Sequence, residues 1–177
     1  MNKQLIDLRN IKITGRILDI GGGGEGVISR HAGEGVIAID KLKEELEESP
    51  DVGIKIVMDA TSMQFLDNVF DNATCFYSLM FMSDATVKKC LAEAYRVLKP
   101  RGYLWIWDTV IPSQAAENIF VVQLKIALAA EEISTGYGVG WNREQSAEYL
   151  SAVCTEIGFK QVECASDGAC IFLKLEK

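Results

Sequence analysis

The sequence has few of the residues on which many enzymes build a catalytic centre. Its 177 residues include one histidine, three prolines and five cysteines, and no two cysteines form a CxxC pair. The cysteines lie at positions 75, 90, 154, 164 and 170, a spacing that matches no zinc site, and their odd number argues against a disulfide framework. The first residues lack the apolar block of a signal peptide, so we expect reduced thiols and a cytoplasmic protein.

Long hydrophobic runs and an excess of positive charge are lacking as well. The best candidate for a membrane span, residues 119–130, is shorter than the ~20 apolar residues required and is interrupted by Gln123 and Lys125. The 25 acidic and 18 basic residues give a net charge of −7, which repels the phosphate backbone of a nucleic acid. We therefore expect neither a membrane nor a nucleic-acid partner. What is present is a globular mixture with 49% hydrophobic residues, sufficient for a single domain over residues 1–177.

Predicted strands and helices alternate along most of the chain. Apolar runs predict strands at 16–20, 36–39, 54–58, 73–79 and 103–107, and helices are predicted at 25–32, 41–48 and 84–98. Such alternation is typical of a parallel sheet with helices on both faces. Two last strands, at 160–165 and 169–175, are joined by a turn so short that they must be antiparallel. The predicted fold is α/β, with a doubly wound, seven-stranded, mostly parallel sheet whose last strand is antiparallel.

This regularity lapses between residues 110 and 142. Ile119, Val122, Ile126 and Ala129 recur at helical spacing, so we expect a helix over residues 113–133. Further apolar residues widen its apolar stripe, which would then be covered on more than one side, as in a core helix, a lid or the subunit contact of a homodimer. The glycine-rich residues 136–141 predict a loop. We interpret residues 110–142 as a lid or insert between the fifth strand and the following helix.

The strongest motif is a run of four glycines, residues 21–24, directly after the first predicted strand. Bare backbone followed by a helix N-terminus suits a carboxylate or a phosphate. Gly21, Gly23 and Gly26 also satisfy the dinucleotide pattern GxGxxG, with Asp40 about 20 residues further on. Against a dinucleotide, Asp19 stands just before the turn, where a carboxylate repels a pyrophosphate and attracts an ammonium or sulfonium charge.

Acidic residues close four of the predicted parallel strands, at Asp19, Asp40, Asp59 and Asp108. Together with Asp19-x-Gly21-x-Gly23 and the segment RVLKPRG at 96–102, this pattern resembles the class I S-adenosylmethionine-dependent methyltransferases. It is most similar to their small-molecule branch, which includes the ubiquinone/menaquinone-type enzymes. The resemblance implies the Rossmann-like methyltransferase fold, S-adenosyl-L-methionine as cofactor and S-adenosyl-L-homocysteine as product.

The resemblance also implies which residues bind the cofactor. It places the methionine part of the cofactor beside the glycine turn, at Asp19, Gly21, Gly22 and Gly23, and the ribose hydroxyls on Asp40 after strand two. It places the adenine near Lys41, Asp59 and Ala60, after strands two and three, and the methyl group near Tyr77 and Ser78, after strand four. One position departs from the family pattern, because its third glycine is expected where this chain has Glu25.

Methyl transfer from a sulfonium to a small-molecule acceptor by in-line displacement needs alignment more than a catalytic side chain, and no metal is implied. If a base is used, Asp108 is the first candidate, followed by Tyr77 and Tyr137. The alternative for Asp108 is a structural acid that accepts a hydrogen bond from a neighbouring backbone N–H. Residues 79–84, 108–112 and 136–141 are expected to form the acceptor pocket, and the acceptor itself is not identified by these patterns.

Two other functions stay open at this stage. One is an S-adenosylmethionine-binding protein without catalysis, or a partner subunit of another methyltransferase. The short segment before the first predicted strand and the apolar helix expected at 113–133 suggest it. The other is an NAD-dependent oxidoreductase, which rests on the GxGxxG pattern alone.

Overall fold

The computed structural model describes residues 2–113, 118–141 and 143–177. The helices are α1 (Val27–Ala32), α2 (Lys43–Glu48), α3 (Asp84–Val97) and α4 (Ala147–Ile157), with short 3-10 turns at Gly33–Gly35 and Leu79–Phe81. The strands, in chain order, are β1 (Asn2–Asp7), β2 (Ile17–Ile20), β3 (Val36–Asp40), β4 (Ile54–Val57), β5 (Phe70–Phe76), β6 (Leu98–Thr109), β7 (Ile119–Ala127), β8 (Glu132–Gly140), β9 (Lys160–Ser166) and β10 (Cys170–Glu176).

The main sheet has seven strands in the order β4-β3-β2-β5-β6-β10-β9. The first five are mutually parallel, and β10 runs antiparallel to both β6 and β9. This confirms the predicted doubly wound sheet with an antiparallel last strand. All four residues of β2 are buried because the strand lies in the middle of the sheet and both of its faces are covered. Asp19 is the only charged residue of that strand.

The helix expected over residues 113–133 is wrong where the structure describes this segment, which instead forms β7 and β8. Phe120, Val122 and Leu124 are buried while Ile119 and Val121 are exposed, so the burial alternates every second residue as in a strand. The β-branched residues of the segment also favour a strand. Residues 114–117 of the expected helix lie outside the described residues.

The strands β7 and β8 belong to a second sheet of three strands, in the order β1-β7-β8. No element was predicted for residues 2–7, and the loop expected at 136–141 is for the most part the end of β8. β7 pairs in parallel with β1 and antiparallel with β8. The sheet packs with α1 on one face of the main sheet, in a core that includes Trp105, Trp107, Phe120 and Val122. Helices α3 and α4 cover the opposite face. None of the helices in the described ranges is long and apolar enough to cross a membrane.

Arg96, near the end of α3, holds the loop that follows β4. Its guanidinium donates hydrogen bonds to the carbonyl oxygens of Met63 and Phe65, at 2.9 and 2.8 Å, and to the carboxylates of Asp67 and Glu93, at 2.7 and 2.8 Å. This loop begins with residues 59–61, which lie at the carboxyl edge of the main sheet. The arginine therefore fixes the backbone from which that part of the edge is built.

We expect Arg96→Leu to lower the free energy of unfolding by about 2–3 kcal/mol, because it leaves Glu93 and two backbone carbonyls without their charged donor. A change of this size corresponds to a fall in Tm of about 4–12 °C for a domain of this length. The control is Lys88→Leu on the same helix, which removes one exposed pair to Glu156 with an N–O distance of 3.6 Å. Thermal unfolding followed by circular dichroism compares the two, and equal shifts would contradict the assignment.

Candidate functional site

A cavity of about 510 Å³ opens at the carboxyl ends of β2, β3, β4 and β5. This is the edge at which open α/β sheets bind ligands, and the volume suits a nucleoside-sized molecule. Every residue that the sequence predicted to bind the cofactor lines it, namely Asp19, Gly21, Gly22, Gly23, Asp40, Lys41, Asp59, Ala60, Tyr77 and Ser78. Phe81, Met82 and Tyr137 from the expected acceptor segments line it too, whereas residues 108–112 do not.

The glycine turn forms one wall of the cavity and has no room for side chains. A Cβ placed on Gly22 would lie 2.5 Å from Oδ2 of Asp19, and one on Gly23 would lie 2.5 Å from Cβ of Glu45. The backbone N–H groups of Gly21 and Gly22 donate to the carbonyl oxygen of Ile39 at 2.8 and 3.1 Å, which ties the turn to β3. The turn is therefore a fixed backbone surface that a ligand can approach closely.

Asp19 is a buried acid directly behind this turn, with its side chain almost fully removed from solvent. Its Oδ1 accepts a hydrogen bond of 2.7 Å from Thr74 Oγ1, a residue paired with it in the neighbouring strand. Burial raises the pKa of Asp19 to about 7; the Thr74 hydrogen bond opposes this shift, and the charge of Asp40 adds to it. A positively charged ligand in the cavity would supply the compensation that this carboxylate lacks.

Asp40 and Asp59 present partly engaged carboxylates at the ends of the next two strands. Asp40 Oδ1 accepts from the Leu42 N–H at 2.9 Å, and its Oδ2 faces the glycine turn. Asp59 Oδ1 accepts from the N–H and the hydroxyl of Thr61, at 2.7 and 2.8 Å, and these bonds lower the pKa of Asp59. Within the described residues, the second oxygen of each carboxylate makes no hydrogen bond and is available to a hydroxyl or amino group of a ligand.

Ser78 carries an orphaned polar atom in the cavity wall. Its Oγ is buried and has no hydrogen-bond partner among the described residues. Buried hydroxyls are nearly always paired, so an unpaired one beside a cavity indicates a missing ligand group. A Cβ on Gly21 would lie 2.5 Å from the Ser78 Cβ, which shows how closely the turn approaches this residue.

Tyr77 faces the cavity while its hydroxyl is engaged elsewhere. The residue has a positive φ of 50°, and its N–H donates to the Trp107 carbonyl oxygen at 2.7 Å. Its phenol donates to Oε1 of Gln4, whose amide in turn donates to Thr109 Oγ1 at 2.8 Å. Burial is the main cause of the strongly raised pKa of Tyr77. The phenol is therefore neutral and its proton is directed towards β1.

Asp108 lies outside the cavity lining and is fully buried. Its Oδ2 accepts from the N–H groups of Leu79 and Met80 at 3.0 and 3.3 Å, and its Oδ1 accepts from the Thr109 N–H and from Gln145 Nε2, both at 2.8 Å. Burial raises the pKa of Asp108 to about 6, against these hydrogen bonds. Both oxygens are thus occupied, and Oδ2 holds the 3-10 turn after Ser78 through its backbone N–H groups, as in the structural alternative considered for this residue.

Sequence reasoning missed two acids in the lining, Glu25 and Glu45. Glu25 accepts hydrogen bonds from Thr135 Oγ1 and, at 2.7 Å, from the Tyr137 phenol, so it connects the glycine turn to β8. Its only signal in the sequence was a missing family glycine, which says nothing about a partner 110 residues away. With Asp19, Asp40 and Asp59, these acids outnumber Lys41 and make the cavity favourable to a cation. Within the described ranges no cluster of acidic, cysteine or histidine side chains could hold a metal ion.

Residues 18–106, about half of the chain, match the family model of the methyltransferase domain. The chain belongs to this family. It is 36% identical over 115 residues to a ubiquinone/menaquinone biosynthesis C-methyltransferase from Desulfotalea psychrophila, covering 60% of this chain and 46% of that protein. It is 34% identical over 136 residues to a demethylmenaquinone methyltransferase from Paenarthrobacter aurescens, covering 71% and 51%. The chain thus spans about half the length of the curated relatives it matches.

The likeness extends to solved structures of the same fold. A SAM-dependent methyltransferase from Methanosarcina mazei superposes with a TM-score of 0.64 and 19% identity, over 91% of each chain. At this identity the comparison concerns the fold, which is the Rossmann-like methyltransferase fold, and not the substrate.

The raised pKa of Asp19 makes the stability depend on pH. Its carboxyl titrates near 3.8 in the unfolded chain and near 7 in the folded protein, so between these values the folded state holds the extra proton. The Asp19 contribution to the free energy of unfolding is therefore complete below pH 3.8 and is lost as the pH rises through 7. The loss is on the order of 4 kcal/mol.

Urea unfolding between pH 4.5 and 8 checks this, with Asp19→Asn as the matched variant. Asparagine keeps an oxygen for the Thr74 hydroxyl and does not titrate. We expect the wild type to lose stability relative to the variant as the pH rises, whereas groups such as Asp108 titrate in both proteins and cancel. Parallel pH profiles would show that the Asp19 carboxyl is not perturbed by burial.

Proposed function

We propose that the protein is an S-adenosyl-L-methionine-dependent methyltransferase that acts on a small-molecule acceptor. The observation that carries the proposal is a buried carboxylate, that of Asp19, which has no cationic partner among the described residues and lies directly behind a bare glycine turn. A ligand with ammonium and sulfonium charges satisfies that carboxylate, whereas a pyrophosphate would be repelled by it. The family membership of residues 18–106 agrees with this reading.

The residues present fit the cofactor in its separate parts. Asp19 and the turn of Gly21 to Gly23 hold the methionine part, and the unpaired Ser78 hydroxyl accepts or donates to its polar end. The available oxygen of Asp40 takes the ribose hydroxyls, with a charge-assisted hydrogen bond. Asp59 accepts from the adenine amino group, and Lys41 and Ala60 border the ring.

When bound, the cofactor supplies an already activated methyl group. The chain then has to orient the acceptor in line with that methyl group and to exclude water. Phe81, Met82 and Tyr137 line the cavity with apolar surface suited to this task. We do not propose Asp108, Tyr77 or Tyr137 as a catalytic base. Both oxygens of Asp108 already accept hydrogen bonds, and the neutral phenols of Tyr77 and Tyr137 donate to Gln4 and Glu25, respectively.

The acceptor we propose is a small molecule with an apolar ring. The aromatic lining supports it, and so do the names of the two quinone-related relatives. We also propose that the protein does not bind nucleic acids, and its net charge of −7 supports this. The free cysteines suit the cytoplasm. The expectation of a homodimer depended on a helix at 113–133, and because residues 119–127 form a strand instead we propose no dimer.

Isothermal titration with S-adenosyl-L-methionine, S-adenosyl-L-homocysteine and NAD tests the function. We expect both sulfur nucleosides to bind and NAD to give no heat, because the pyrophosphate would meet Asp19. Binding of NAD together with indifference to both nucleosides would overturn the proposal.

We expect Asp40→Ala to weaken the binding of S-adenosyl-L-homocysteine by ~1–3 kcal/mol, since it removes a charged acceptor of the ribose hydroxyls. The control is Asp51→Ala, which removes one negative charge at an exposed position outside the cavity lining. Titration calorimetry on both folded variants gives the difference. Equal affinity for Asp40→Ala and the wild type would mean that the ribose lies elsewhere.

A further inference from the structure

Glu25 links two parts of the protein that are distant in sequence. It follows the glycine turn and precedes α1, and its own carbonyl oxygen accepts from Arg30 Nε at 2.8 Å. Its carboxylate accepts from two hydroxyls of β8, those of Thr135 and Tyr137. One side chain of the cofactor turn therefore contacts two successive inward-facing positions of the hairpin strand.

The strand that Glu25 contacts is held by its pairing with β7 and by the packing of its half-buried side chains. β8 is the outer strand of the three-stranded sheet, hydrogen-bonded in the described structure to β7 on one side only. Its side chains are alternately exposed and half-buried, and Thr135 and Tyr137 belong to the half-buried set. A second tether, the ion pair of Arg30 with Glu131 at 3.1 Å, is itself exposed and contributes little.

Tyr137 brings this strand into the cavity wall. Its ring lies edge-on to Phe81, with ring centroids 6.2 Å apart, and 6.2 Å from the ring of Tyr77. These rings enclose the apolar part of the cavity, where an acceptor would meet the transferred group. The hydrogen bond from the phenol to the Glu25 carboxylate connects the position of this ring to the glycine turn.

We propose that Glu25 is a positioning residue that transmits occupation of the cofactor turn to β8 and so fixes Tyr137 against the acceptor part of the cavity. This rests on the proposed function, because it takes the ligand of the turn to be the sulfur nucleoside. A ligand that contacts residues 21–26 further reduces the opening of this turn, and through Glu25 it restrains the two hydroxyls of β8. A bound nucleoside therefore holds the acceptor wall in the arrangement that the structure shows.

Hydrogen–deuterium exchange of the full chain, with and without S-adenosyl-L-homocysteine, tests this without any acceptor. In the wild type we expect the nucleoside to slow exchange in residues 21–28 and also in residues 132–140. In Glu25→Gly, which carries the residue expected in the family, the nucleoside should still protect residues 21–28. Its protection of residues 132–140 should fall by at least about tenfold, because both hydrogen bonds from β8 to the Glu25 carboxylate are lost.

Two further variants separate the tether from general loosening. Glu25→Gln should restore the coupling, because its amide accepts from one hydroxyl and donates to the other. Thr135→Val combined with Tyr137→Phe leaves the turn intact and should abolish the coupling from the other side. Glu131→Gln, which breaks only the exposed ion pair, should behave as the wild type.

The outcomes distinguish this inference from the function on which it rests. Protection of residues 21–28 without residues 132–140 in the wild type would overturn the inference and keep the cofactor assignment. An identical protection pattern in Glu25→Gly and the wild type would also overturn the inference while leaving the cofactor assignment unaffected. If the nucleoside protected neither segment, the cofactor assignment itself would fall.

Discussion

The site depends on one close packing, that of the Asp19 carboxylate against the bare backbone of Gly22. The carboxylate can remain beside the turn because no Cβ occupies that space, and the turn can stay tight because the acid comes from the buried central strand. Burying an acid with a single hydroxyl partner is unfavourable, and its raised pKa expresses that cost. A buried acid at the base of a cavity indicates a site for a positively charged ligand, because the bound charge would offset the free-energy cost of burying the carboxylate.

The remaining acids at the strand ends have different roles, although the sequence presents them alike. Asp40 and Asp59 retain an oxygen that faces the cavity, whereas Asp108 is surrounded by donors and holds the turn after Ser78. The distinction comes from the topology. Gln145 and the 3-10 turn pack against Asp108 at the end of β6, whereas β3 and β4 end at the open cavity. The acid of β6 therefore supports the wall of the site from behind.

Much of the fold and of the cavity lining could be predicted from the sequence, because both follow from local sequence patterns. Continuous apolar runs ending in acids mark buried parallel strands, and four glycines mark a turn without side chains. The segment 119–127 was misassigned because its apolar residues are so dense that they satisfy helical spacing as well as alternation; burial on one face distinguishes the two only after folding. The role of Glu25 was equally invisible, since its partners Thr135 and Tyr137 are adjacent only in space.

The parallel pairing of β1 with β7 bears on how the chain reaches this structure. Asn2 aligns with Val122 and Asp7 with Ala127, so β1 pairs with a strand that lies far along the chain from it. Gln4, which accepts the hydrogen bond of the Tyr77 phenol, lies on β1 and depends on the same pairing. Contacts of such long range slow folding, because the closure of a long loop precedes any gain from the contact. The main sheet up to β6 depends on shorter connections, so the contacts beneath Tyr77 carry a larger entropic cost of loop closure than those within that sheet.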